Sequence, residues 1–122
     1  MARILVVDDE EEIREMLRDI LEASGYEVME ASDGSIGIEV YKQEPADLVI
    51  TDIFMEKKGG IEMAIELQRD FPDVKIITMS GGASGPPQDY LDMAKGFGSL
   101  RTIPKPIDMK ELLAMVSELI PE

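Results

Sequence analysis

No cysteine, histidine or tryptophan occurs in this 122-residue chain. Without cysteine there is no disulfide, no zinc–thiolate site and no thiol nucleophile, a composition that suits the cytoplasm. Without histidine, any imidazole in its chemistry must come from a partner. Basic residues are scarce: 12 Lys and Arg stand against 26 Asp and Glu, a formal charge of −14. That field repels nucleic-acid phosphates, and most of the charge is expected on solvated surface. No apolar run approaches the roughly 20 residues needed to span a bilayer. Met1-Ala2-Arg3 leads into a short strand rather than a signal peptide. What remains is an apolar content of 44% in a length typical of one domain, taken as residues 1–122.

Strand and helix patterns alternate along the chain, which predicts a parallel sheet covered on both faces. Ile13, Met16, Leu17, Ile20 and Leu21 form one apolar stripe at helical spacing, and Gly25 follows as a C′ residue. Tyr26 to Glu30 reads as the second strand, and Asp33-Gly34 opens a helix that Pro45 stops. Gly37 makes this the weakest of the helices. A third helix carries Ile61, Ala64, Ile65 and Gln68, and a fourth runs roughly from Pro87 to Lys95. The last helix has its stripe at Leu112, Leu113, Val116, Leu119 and Ile120, with Asp108 as N-cap. Right-handed crossovers place these units in a flavodoxin-like doubly wound α/β fold, with strand order 2-1-3-4-5 and five helices. Nine methionines invite a binding reading, but Met16, Met63 and Met115 fall in or beside the stripes, where gap-filling suffices.

The strands end on chemistry. Ile4 to Val7 runs into Asp8-Asp9, Leu48 to Thr51 into Asp52, and Val74 to Met79 into Ser80; Leu100 to Ile103 leads to Pro104-Lys105-Pro106. The carboxyl ends of parallel strands share one crevice, so these side chains should meet. Individually each has an ordinary explanation. Asp8 or Asp9 would cap the first helix, Asp52 and Ser80 would be turn residues, and Lys105 would be solvated. Together, three carboxylates repel unless a cation joins them, and open coordination positions suit Mg2+ better than Ca2+. Two prolines stiffen the Lys105 loop, so its ammonium can pair with a carboxylate or a phosphoryl oxygen. The Ser80 hydroxyl can likewise donate to a phosphoryl oxygen.

These motifs, in this order and spacing, resemble the receiver domains of two-component response regulators. The resemblance covers nearly the whole chain, through Ile4-Leu5-Val6-Val7-Asp8-Asp9, Asp47 to Met55, Gly60, Ser80-Gly81 and Lys105-Pro106. It implies that Asp52 accepts a phosphoryl group from a histidine kinase or a histidine phosphotransfer protein. It also implies that Asp8, Asp9, Asp52 and the backbone carbonyl of Phe54 hold Mg2+, that Lys105 contacts the phosphoryl group, and that Ser80 moves to bind it. In the family the Lys-Pro bond is commonly cis, and output passes to a downstream protein. The chain would then be a phosphoacceptor that also dephosphorylates itself slowly, rather than an enzyme.

Three departures lie near the crevice. Thr102 stands where the family usually has an aromatic switch residue. Glu56 replaces a usual proline in Glu56-Lys57-Lys58, and the stretch after Ser80 is long, with Gly81-Gly82-Ala83-Ser84-Gly85-Pro86-Pro87. Other readings compete. The chain could be a receiver piece of a larger regulator or hybrid kinase. A haloacid dehalogenase-type phosphatase would need a second aspartate where Phe54 stands. A flavodoxin relative would need a phosphate loop where Asp8 to Glu12 would repel the phosphate.

Overall fold

The computed structural model describes residues 2–53, 55, 58–80, 96 and 101–120. The elements, in chain order, are β1 (Arg3–Val7), α1 (Glu11–Ala23), β2 (Glu27–Ala31), α2 (Gly34–Gln43), β3 (Leu48–Asp52), α3 (Gly60–Asp70), β4 (Ile76–Ser80), β5 (Arg101–Pro104) and α4 (Met109–Leu119). The strands form one sheet in the order β2-β1-β3-β4-β5, and every pairing is parallel. The expected flavodoxin-like order is therefore present. Four helices lie among the described residues; the one expected from roughly Pro87 to Lys95, and the loop before it, fall outside them.

Central strands of such a sheet need apolar side chains on both faces. In β1, Ile4 and Val6 join one core with Leu17 and Leu21 of α1 and with Leu112 and Val116 of α4. Leu5 and Val7 face the other way, into a core with Ile38 and Tyr41 of α2 and Met63 and Leu67 of α3. The two helix pairs thus cover opposite faces. Tyr41 and Phe71 close the second core edge-to-face, with ring centroids 4.8 Å apart.

Helix ends follow the local chemistry. Asp33 caps α2 by accepting the Ile36 N–H at 3.0 Å, and Asp108 caps α4 by accepting from Lys110 and Glu111. Lys75 donates to the Leu119 carbonyl at the other end of α4. Gly25 has φ 97°, and it ends α1 with two linked bonds: its N–H donates to Glu22 and that of Tyr26 to Leu21. This motif moves the start of β2 from the expected Tyr26 to Glu27, because the Tyr26 N–H belongs to the helix end.

Two expectations about helix faces need correction. The buried stripe of α3 is Met63, Ala64 and Leu67, while Ile65 is 44% exposed. The rotation follows from Gly60: a Cβ there would collide with the Asp52 carbonyl oxygen, so the first turn sits hard against β3. On α1, Met16 is exposed rather than part of the stripe. Gly37, which made α2 read as weak, is a contact point. A Cβ there would meet the Met63 sulfur at 2.9 Å and a Val7 methyl at 3.1 Å, so its absence lets α2 approach α3 and β1.

Gly25→Ala must hold a side chain at positive φ, so it should lose about 1–2 kcal/mol of stability. Leu21→Ala, which empties part of the first core, should lose about 2–5 kcal/mol. Urea denaturation of both variants checks the order; equal losses would contradict the assigned roles.

Candidate functional site

Parallel pairing delivers four side chains to one rim. Val7 pairs with Thr51, Thr51 with Thr78, and Ser80 with Pro104. The next residue along β1 is Asp8, along β3 it is Asp52, and along β5 it is Lys105. The Ile53 N–H donates to Met79, and the Lys105 N–H donates to the Ser80 carbonyl at 2.6 Å, so both loops begin tied to β4. The Lys105–Pro106 peptide bond is cis, as the resemblance implied.

Lys105 Nζ stands 3.1 Å from Asp8 Oδ2 and 3.2 Å from Asp52 Oδ2, with its side chain 11% exposed. Asp8 is fully buried, and its Oδ1 accepts the Glu10 N–H at 2.9 Å. Burial pushes the Asp8 carboxyl above the usual carboxylate range, although the Glu10 N–H and the Lys105 ammonium oppose this; the Asp9 charge adds to the rise. Burial alone would lower Lys105, but the Asp52 and Asp8 carboxylates outweigh it and hold the ammonium above its ordinary value. Lys105 is therefore charged at neutral pH.

The capping alternative for Asp8 and Asp9 does not survive. Glu10 is the N-cap of α1 and its side chain makes no capping bond; Asp8 Oδ1 reaches only the N–H of Glu10 itself, not those of the first helical turn. Asp8 turns instead toward Lys105, and Asp9 is exposed. Carboxylate oxygens of Asp8, Asp9, Glu10 and Asp52 lie within 4.8 Å of one another. Such an all-oxygen, partly open set fits a hard divalent cation. Ser80 is buried at the end of β4, as expected. Phe54, whose carbonyl the resemblance counts as a ligand, lies outside the described residues.

Sequence reasoning missed two participants. Glu10 joins the acidic cluster and brings Oε1 to 3.9 Å from Lys105. Arg14 donates to the Asp8 carbonyl at 2.7 Å. The signal for it was a lone base in the acidic first turns of α1. Of the three departures, Thr102 is half-buried and pairs in register with Thr78, which pairs with Thr51. Lys58 is turned away from the crevice: its ammonium meets Glu66 at 2.7 Å and its carbonyl accepts the Gly34 N–H. Glu56, Lys57 and the long loop after Ser80 fall outside the described residues.

The model of the response regulator receiver domain matches residues 4–117. The chain belongs to that family. It is 31% identical over 123 residues to the response regulator receiver protein CpdR of Brucella abortus, covering 98% of each. It is 34% identical to a probable transcriptional regulator, ycf27, of Porphyridium aerugineum, of which it spans only 48%. The response regulator TrrA of Thermotoga maritima, solved in complex with Mg2+ and BeF, superposes with a TM-score of 0.87 at 33% identity, covering 98% of this chain and all of that one. The receiver reading therefore holds, and the dehalogenase and flavodoxin readings do not. Receiver domains take phosphoryl groups from histidine kinases and work in two-component signal transduction. Among the described residues, no helix is long and apolar enough to cross a membrane.

Removing the ammonium should expose the repulsion that it now offsets. In Lys105→Met, Asp8 keeps burial but loses its counter-charge, so its folded-state pKa should rise further. A carboxyl raised on folding resists ionisation in the folded state. That cost is complete above the folded-state pKa, shrinks as pH falls below it, and is gone below the unfolded-state pKa. The variant should thus lose about 3–5 kcal/mol at neutral pH and recover relative to the parent in acid. Urea midpoints at two pH values decide this; a pH-independent difference would contradict it. Asp9→Asn should do the reverse to the metal-free protein, raising its thermal midpoint by relieving like-charge repulsion.

Proposed function

We propose that Asp52 is the phosphoacceptor, with Asp8, Asp9 and Asp52 as the carboxylate ligands of Mg2+ and Phe54 contributing its carbonyl. The observation that carries this reading is the Lys105 ammonium bridging Asp8 and Asp52, with all three side chains at most 11% exposed. When bound, Mg2+ supplies positive charge to the phosphoryl oxygens. An Asp52 carboxylate oxygen attacks phosphorus in line, the phosphorus–nitrogen bond of the donor phosphohistidine breaks, and its electron pair leaves with the imidazole. Lys105 then exchanges a carboxylate partner for a phosphoryl oxygen, and the Ser80 hydroxyl donates to another. The product is an acyl phosphate, so water at the same phosphorus slowly reverses the modification without further machinery. The domain is thus a phosphoacceptor with self-dephosphorylation rather than an enzyme acting on a separate substrate.

The donor in this reading is a histidine kinase or histidine phosphotransfer protein in the cytoplasm, since the chain has no histidine of its own to carry the phosphoryl group to Asp52. Output is a changed contact with a downstream protein. With Thr102 in place of an aromatic, that change does not run through an aromatic ring at this position of β5.

Incubation with acetyl phosphate and Mg2+ should add one phosphoryl group by intact mass. Asp52→Asn should add none, and omitting Mg2+ or substituting Asp9→Asn should slow the reaction at least tenfold. An adduct that persists in Asp52→Asn would overturn the assignment.

A further inference from the structure

Asp8 holds its place by more than its side chain. The last paired position of β1 and β2 is Val7 with Ala31. One residue further, the Asp8 N–H still donates to the Ala31 carbonyl at 3.1 Å. Its carbonyl lies beyond the paired rows, and Arg14 reaches back from α1 to take it through Nη1 at 2.7 Å. The same guanidinium places Nε 3.3 Å from Glu30 Oε1, near the end of β2. Glu30 is in turn braced by Arg18, one turn further along α1. Arg14 is 16% exposed and Glu30 is 23% exposed, so this is no loose surface pair.

We propose that Arg14 is a positioning residue that sets the peptide between Asp8 and Asp9, and through it the metal-binding carboxylates. A planar guanidinium with fixed donors can hold a carboxylate and a carbonyl at a set angle, which an ammonium cannot do. Fixing the Asp8 carbonyl fixes the plane of the peptide that carries Asp9. Of the three carboxylates proposed for Mg2+, Asp9 is the exposed one, and it has no strand of its own to orient it. The clamp therefore acts where the site is otherwise least constrained. It brings together α1 and β2, elements that supply no ligand themselves. This inference rests on the proposed Mg2+ site.

The sign of the effect separates the clamp from its charge. Arg14 is a cation near a cation site, so by Coulomb's law alone its removal would tighten Mg2+ binding. Loss of a clamp weakens it, by about tenfold or more for partners that orient metal ligands. The test is calorimetric titration of Mg2+ into wild type, Arg14→Gln and Arg14→Lys, without any phosphoryl donor and with thermal midpoints recorded. The clamp predicts weaker binding in both variants, including the Lys variant that keeps the charge, with cooperative unfolding retained. Unchanged or tighter binding in Arg14→Gln, or full affinity in Arg14→Lys, would overturn the clamp and leave the metal site standing. No Mg2+ binding by wild type would overturn both.

Discussion

Several negative charges gathered at one end of a parallel sheet are the constraint around which this domain is built. Asp8 and Asp52 end neighbouring strands, and Asp9 and Glu10 crowd the same rim. Burial makes the charge on Asp8 costly, and Lys105 is the partly buried counter-charge that makes the pair tolerable. Its position depends on the bond from its own N–H to the Ser80 carbonyl, so β4 indirectly sets the charge balance of β1 and β3. Gly60 contributes from the other side. It lets α3 begin in contact with the Asp52 carbonyl, which a Cβ would displace.

A crevice that retains uncompensated negative charge is poised to gain stability from anything that adds positive charge or spreads the negative. In the proposed reading this couples phosphorylation to the fold itself. The partner-free site is held short of electrostatic neutrality, and the ligands complete it. The same property explains how a small domain without histidine can respond to a phosphohistidine donor. It supplies the oxygen and the charge balance, and the donor supplies the leaving imidazole. The row of Thr51, Thr78 and Thr102 beneath the rim places hydroxyls where the family resemblance led one to expect an aromatic ring on β5.

Local chemistry was legible where a residue acts on its own neighbours. Asp108 caps the helix it was expected to cap, Asp33 caps the helix it was expected to open, and Gly25 ends α1, because these bonds span only a few residues. Period and strand order were legible for the same reason: each strand is short, apolar and bounded. The face of α3 was not. Ile61 and Ile65 fit a helical stripe as well as Met63 and Leu67 do, and the choice depends on the Gly60 contact with β3. Gly37 was read as a weakness because propensity sees only the helix, not the Met63 and Val7 atoms that need the space.

For the site, the sequence alone determined which residue types stand at the ends of the strands, and hence that carboxylates, a hydroxyl and an ammonium would share one rim. Spacing and alternation suffice for that, since topology follows from the order of buried strands. Only the tertiary structure decided how those groups divide the work. Asp8 could have capped α1; instead its carboxylate meets a lysine 97 positions away. Glu10, the N-cap of α1, is part of the cluster. Arg14, on the same helix, holds the Asp8 backbone carbonyl. Hydrogen bonds and ion pairs depend on distances of a few ångströms between chain segments, and no pattern within one segment contains them.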